Sequence, residues 1–419
     1  MGSGAHPNHK TVGFREFVAI AAALMATQAI SVDAMLPALP TIASALGLSN
    51  ENRAQLIVTA YVVGVGLGQL FWGVLSDRYG RRPILLIGLS VCVVAAVLTG
   101  LSSSFVTLLA WRFTHGLAAA SVVIGRSAVR DQFSGRQMAR VMSLTFIVFL
   151  MIPVIAPAVG QLVLAIAPWR SIFLLFGGFA AVVGVWVSLR LPETLHPEFR
   201  LTLTRDRVAG AVALVLGNRT SLNYTLAMTI MFGSILAYVG MVQQIFQDVF
   251  HRPALMPGVF AICAGSMGIT SYLNSRIVER VGMRLISQIG LLIFIGVTAL
   301  HVLVVLIGME RLWTFVALQS MTMACIGLTA SNFGAMAMEP VGSVAGVGAS
   351  LQGLISTTGG ALVGALIGKW FNGSTLPLAL GGLMCGLGAL CLVVLAERGR
   401  LFTPHHTVGD PVDTSGMIH

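Results

Sequence analysis

Apolar stretches of about 20 residues, each enough to carry a helix across a bilayer, recur about twelve times along this chain. They cover 17–36, 54–75, 84–101, 105–125, 141–165 and 172–189 in the first part, then 222–246, 257–275, 285–308, 312–336, 345–368 and 378–396 in the second. Inside hydrocarbon the backbone has no water to bond, so each stretch is a helix or belongs to a closed barrel. Barrel strands alternate over segments of about 10 residues, whereas these stretches are continuously apolar. The expected fold class is all-α integral membrane. Composition agrees, with 56% hydrophobic and 10% charged residues, against about 25% charged in an ordinary soluble domain. The first stretch contains Asp33, leads into Pro37 and Pro40, and lacks a small-residue cleavage pattern, so it reads as a span and not a signal peptide.

The formal net charge of +10 concerns orientation, not nucleic acid. One set of alternating loops receives Lys10, Arg15, Arg78, Arg81, Arg82, Arg126, Arg130, Arg136, Arg140, Arg190, Arg276, Arg280 and Arg284, while the other takes Arg53, Arg170, Arg252, Arg311 and Lys369. By the positive-inside rule both termini are cytoplasmic. The polar interval 190–221 separates six stretches from six. The expected organisation is a tail over 1–16, a six-helix half over 17–189, a linker over 190–221, a second half over 222–396 and a tail over 397–419. A repeat supports the division. Asp77, Arg78, Gly80 and Arg82 return with the same spacing as Glu279, Arg280, Gly282 and Arg284, 202 residues later. Repeats of this kind place a substrate near the midplane between the halves.

Asp33 and Arg112 are the charged residues expected within the spans, and each costs at least about 2.5 kcal/mol there. Both lie about 10 Å from the outer end of their span, so they can meet across one cavity; snorkelling or a fixed structural pair are the other readings. His115, one turn beyond Arg112, is a relay candidate or a hydrogen-bonding neighbour. His301 has no acidic companion nearby in the sequence and is set aside. Gln28, Tyr61, Tyr238, Gln243, Asn332 and Gln352 are candidates for polar walls of a substrate cavity, among 19 Met and 21 Phe. Gly360, Gly364 and Gly368 recur at the spacing that lets membrane helices approach closely. Cys92, Cys263, Cys325, Cys385 and Cys391 show no metal-ligand spacing and read as packing residues. Gly364 to Lys369 fails as a phosphate loop, Gly64, Gly66 and Gly68 precede no βαβ unit, and no zinc-protease motif occurs. No enzyme, cofactor or metal is expected.

The segment from Gly73 to Pro83 resembles the signature loop between helices 2 and 3 of the major facilitator superfamily. Arg112 to Gly116 is similar to that family's buried-arginine motif, with His115 in place of the usual Gln. Pro153, Pro157 and Gly160 resemble its antiporter motif in helix 5, with Ala156 and Gln161 where Gly is common. Asp33 to Pro40, with Glu339 to Gly342 and Ser350 to Gly353, resembles the Bcr/CflA branch of multidrug exporters. The resemblance implies a usually monomeric secondary transporter of the bacterial inner membrane, working by alternating access on small-molecule substrates among membrane lipid. It implies proton coupling through Asp33, Arg112 and His115, and bends at Pro153 and Pro157. It also implies a cytoplasmic gate built from Gly73, Asp77, Arg78, Gly80, Arg81, Arg82 and Asp131, with Glu279, Arg280 and Arg284 as the copy. Asp77 would face the start of helix 11, and Asp131 would join Arg81. Uptake or export of a specific metabolite uses the same scaffold, and a channel or non-transporting receptor is the remaining alternative.

Overall fold

The computed structural model describes residues 12–48, 50–133, 135–195 and 205–402. Every regular element among them is helical. α1 (Phe14–Asp33) continues through a 3₁₀ turn at Leu36–Ala38 into α2 (Leu39–Ala45), followed by α3 (Leu56–Tyr79) and α4 (Arg81–Leu101). The fourth span is made of two helices, α5 (Phe105–Leu117) and α6 (Ser121–Gln132). α7 (Gly135–Ile166) and α8 (Arg170–Arg190) complete the first six spans, and α9 (Arg205–Gly217) lies in the interval read as a linker. The last six spans are α10 (Arg219–Gln244), α11 (Met256–Val281), α12 (Met283–Leu306), α13 (Leu312–Met338), α14 (Ala345–Gly368) and α15 (Leu376–Ala396). Among the described residues 11 helical segments are long and apolar enough to cross a membrane. The remaining expected span, 141–165, falls within the 32 residues of α7, whose side chains are described only in part.

Local sequence explains where these helices break. Pro37 has no N–H to offer the Asp33 carbonyl and Pro40 none for Leu36, so α1 ends and the chain tightens into a 3₁₀ turn before resuming. Gly80 closes α3 and opens α4 with φ +102°, and Gly282 does the same between α11 and α12 with φ +90°. That left-handed backbone favours glycine. The two glycines stand 202 residues apart, so the sequence repeat is also a backbone repeat.

Long α-helices carry their own backbone bonds, so packing between them rests on close contact. α3 lies against α5 at Gly64, Gly68 and Gly116, where an added Cβ would enter the neighbouring backbone. α10 and α14 meet closely at Gly233, Gly360 and Gly364, where an added Cβ would strike the side chains of Val363, Phe232 and Leu236. Two seams join the first six spans to the last six: α3 with α14, where Gly66 packs on Thr358, and α7 with α11. The α3–α4 turn, the α11–α12 turn and α9 lie at one end of the bundle, here the linker end; the other is the far end.

The glycine contacts generate a prediction. Gly116→Val forces two methyl groups and a branched Cβ into the Tyr61 backbone and should destabilise the protein by about 3 kcal/mol or more. Gly178→Val, where nothing lies within 4 Å of an added Cβ, should be close to neutral. Thermal unfolding of the two purified variants in one detergent checks this; equal midpoints would contradict the packing described.

Candidate functional site

A cavity of about 610 Å³ opens between α1, α3 and α6 on one side and α10 and α14 on the other. Its walls include Gln28, Gln69, Gln352, Thr357 and Met228, with Arg126 and Asp77 towards the linker end. Gln69 donates to the Thr357 hydroxyl at 3.3 Å, a bond between the first and last six spans. Gln352 donates to the Gly334 carbonyl at 3.2 Å. Neutral amides and hydroxyls therefore dominate the polar wall. Of the six cavity candidates read from the sequence, Gln28 and Gln352 line this space and the other four do not. Asn332 is buried and exchanges hydrogen bonds with Asn274 at 3.0 and 3.1 Å, which pins α13 to α11. Tyr238 is buried and stacked on Phe260, and Gln243 is buried beyond it. The Gln243 carbonyl oxygen finds no partner among the described residues.

Arg112 is fully buried. Its Nη2 donates to the Ser31 carbonyl at 2.9 Å and its Nε to the Ile57 carbonyl at 3.4 Å. The guanidinium sits 4.4 Å from the Tyr61 ring centre and 5.7 Å from that of Phe173. Tyr61, the sixth cavity candidate, thus faces the arginine. Ser31 lies in the last turn of α1, where carbonyls lack helical partners and a cation is favoured by the helix dipole. Arg112 thus caps the last turn of α1 at the Ser31 carbonyl. His115 Nδ1 lies 3.4 Å from Arg112 Nη1, and its ring stands edge-on to Tyr61 at 5.1 Å.

The expected meeting of Asp33 with Arg112 does not occur: no ion pair or hydrogen bond joins them among the described residues. Arg112 takes the backbone carbonyl of Ser31 instead, and residues 31 and 33 stand about 200° apart around a helix. Asp33 is buried at 7% exposure in the final position of α1. Beside it, Gly160 of α7 lies so close to the Ala34 carbonyl that no side chain would fit. Pro157 is on the same helix, which runs unbroken through it, and the side chain of Pro153 lies outside the described residues.

The α3–α4 turn holds a charge network. Arg81 is paired with Asp77 by a short contact, with Asp131 at 2.9 Å and with the Ser76 hydroxyl at 2.8 Å. Glu193, just past α8, accepts from the backbone N–H groups of Arg81 at 2.8 Å and Arg82 at 3.2 Å. A carboxylate there satisfies two orphan donors and opposes the helix dipole. Arg82 donates to the Ser188 carbonyl at 2.5 Å, and Arg78 lies over its neighbour Tyr79. Gly73 faces the Ser350 hydroxyl of α14, 3.4 Å from an added Cβ. In the copy, Arg284 bonds Glu397 at 2.9 Å and approaches Glu339 at 3.5 Å, while Tyr224 donates to Glu397 at 2.6 Å. Arg280 is exposed, and the side chain of Glu279 lies outside the described residues.

Sequence reading missed Glu193 and Glu397, each ending the last span of its set, although a lone acid after such a span is a visible signal. It also missed Glu310, whose carboxylate bonds His301 Nε2 at 2.8 Å and the Thr375 hydroxyl. No group of three or more His, Cys, Asp or Glu able to hold a metal occurs among the described residues.

Comparison with known proteins fits this architecture. The chain is 33% identical over 81% of its length to 85% of the MFS-type transporter YdgK of Bacillus subtilis. It is 29% identical over 83% of its length to 87% of a bicyclomycin resistance protein homolog of Haemophilus influenzae. The multidrug resistance protein MdtL of Klebsiella pneumoniae is 27% identical, with 92% of this chain matching 96% of that one. Among solved structures, a D-xylose–proton symporter superposes with a TM-score of 0.70 at 13% identity, covering 92% of this chain and 99% of that one. The human organic anion transporter TETRAN gives 0.67 at 18% identity, covering 92% and 100%. The family profile matches residues 19–363, and with the helical bundle and its central cavity it leads to one conclusion: this chain belongs to the Major Facilitator Superfamily of membrane transporters.

Proposed function

We propose that this transporter exports drugs or other small amphipathic compounds across the bacterial inner membrane, driven by protons and acting as a monomer by alternating access. The observation that carries the reading is the 610 Å³ cavity between the two sets of six spans, lined by Gln28, Gln69, Gln352 and Met228. Its size suits a drug-like molecule. Its walls suit varied ligands, because neutral amides orient polar groups and a flexible thioether adapts to apolar ones. Relatives named for bicyclomycin and multidrug resistance support the same substrate class.

The proposed halves are 17–189 and 222–396, joined by the linker 190–221. Arginines concentrate at the linker end, so that end and both tails, 1–16 and 397–419, are assigned to the cytoplasm. The cavity then opens inward. Asp77, Arg81 and Asp131, with Glu193 beneath them, form one cytoplasmic gate cluster, and Arg284 with Glu339 and Glu397 forms its counterpart.

Asp33 is assigned as the proton carrier. An ionised carboxylate in hydrocarbon costs several kcal/mol more than a neutral carboxyl, so its protonation and its exposure to water are linked. Gly160 lets α7 cross α1 beside it, so a shift of α7 alters that exposure. Arg112 fixes the end of α1 that presents Asp33, and His115 and Tyr61 hold Arg112.

Two outcomes test this. Asp33→Asn in liposomes should retain ligand binding while substrate accumulation driven by a pH gradient falls below about a tenth of the parent rate. Accumulation at the parent rate would remove Asp33 from coupling. For Arg112 the roles predict independence: Arg112→Lys should lose about 1.5–3 kcal/mol of stability, because an ammonium cannot bridge two carbonyls as the guanidinium fork does. Combining Arg112→Ala with Asp33→Asn should be additive within about 0.5 kcal/mol. Denaturation of the single and double variants measures this, and a coupling above about 1 kcal/mol would restore a direct pair.

A further inference from the structure

At the far end of the bundle side-chain amides tie the two sets of spans to each other. Gln55, in the 3₁₀ turn that opens α3, donates from Nε2 to Gln244 Oε1 at 2.6 Å. Gln244, the last residue of α10, donates from Nε2 to Asn52 Oδ1 at 2.8 Å. Asn52 in turn donates from Nδ2 to the Phe371 carbonyl, just beyond α14, at 2.9 Å. Gln55 and Gln244 are both buried. Gly240 and Gly368 lie against the Gln55 side chain, and at Gly368 an added Cβ would collide with its amide oxygen. Below the cluster, between Gln55, Thr59, Leu236 and Gly364, only about 10 Å³ remains, room for about one water. The far end is sealed here, while the same two helices, α3 and α14, border the large cavity nearer the linker end.

Asn52 and Gln55 belong to the first set of spans, Gln244 and Phe371 to the second, so rocking the sets apart must break this chain of bonds. We propose that Asn52, Gln55 and Gln244, closed on the Phe371 carbonyl, are the far-side gate of the transport cycle, an uncharged clamp that seals the cavity while its linker end is open. Each carboxamide offers both donor and acceptor, so the three link head to tail with no charge to desolvate. On opening, each trades a protein partner for water at small net cost. The loop bearing Phe371 is anchored by the Thr375 hydroxyl to Glu310, which His301 holds at 2.8 Å. That pair, with His301 buried, gives the clamp a fixed striking plate.

The proposal rests on alternating access, and its test needs neither substrate nor gradient. A Thr59→Cys reporter, one turn below Gln55, is placed in a Cys391→Ser background and exposed from the far face to a membrane-impermeant maleimide. The parent should label slowly. Gln244→Ala, which removes two bonds of the chain, should label about tenfold faster or more. Gln244→Glu keeps the shape but loses the donor to Asn52 and buries a charge; it should label faster too, and decides the matter if Gln244→Ala does not fold. Parent-like labelling of a folded Gln244→Glu variant, with a monodisperse elution and a parent-like melting midpoint, would overturn the gate. Faster labelling in a protein that exports nothing would leave the gate standing and remove the export reading.

Discussion

The guanidinium of Arg112, buried where hydrocarbon surrounds the bundle, fixes the first half of this protein. It bonds the carbonyls of Ser31 in α1 and Ile57 in α3 while itself belonging to α5, so three helices converge on one charge. Such a charge is tolerated only if its donors are satisfied, and here the acceptors are backbone carbonyls in the last turn of α1 and the first turn of α3. The aromatic faces of Tyr61 and Phe173 cover the rest. Because backbone carbonyls hold Arg112, Asp33 is not committed to neutralising it. A carboxyl locked in an ion pair would resist changing its protonation; one set on the opposite side of α1 does not carry that constraint.

The two ends of the bundle use different chemistry to hold neighbouring elements together. At the linker end the contacts are charged: Arg81 between Asp77 and Asp131, and Arg284 between Glu397 and Glu339. Arg81 and Glu397 are buried, but their partners Asp77, Asp131 and Arg284, with Glu339, are partly exposed, so water shares part of the cost of these charges and salt weakens the pairs. At the far end the bonds between the two sets of spans run through side-chain amides, of which Gln55 and Gln244 are buried, where an unpaired charge would be costly. Gln69, bonded to Thr357 where the cavity begins, is an amide as well. The seam of α3 with α14 is thus neutral over its buried length.

The helical fold was legible because hydrocarbon admits few backbone arrangements, and the span limits followed from proline, glycine and charge. The Arg81–Asp131 contact was legible from the family motif. The position of Asp33 was not: spacing along two helices carries no account of rotation about their axes, and that rotation separates a partner from a bystander. Asn332 illustrates the same limit, since a polar residue in a span looks alike whether it lines a cavity or pairs with Asn274. His301 and Glu310 are nine residues apart with a turn between them, a spacing that matches no helical neighbour pattern. Asn52, Gln55 and Gln244 escaped because amides near span ends are ordinary in sequence and gain meaning only when three meet.

The internal repeat carries a further lesson about what duplication preserves. Gly80 and Gly282 keep the same unusual backbone, and each joins two long helices at the linker end. Their side-chain partners have diverged. In the first copy Glu193 caps the start of α4 through backbone N–H groups, leaving Arg81 to the aspartates. In the second, Glu397 takes the arginine itself and the Tyr224 hydroxyl. A helix start needs a negative partner and so does an arginine among packed helices, and the two demands fall on one acid at the end of each set of spans. Where the acid serves the backbone, Arg82, the counterpart of Arg284, turns to the Ser188 carbonyl; where it serves the arginine, the α11–α12 turn is held to the end of α15. The halves share a skeleton, and the difference between them lies in which group each terminal carboxylate holds.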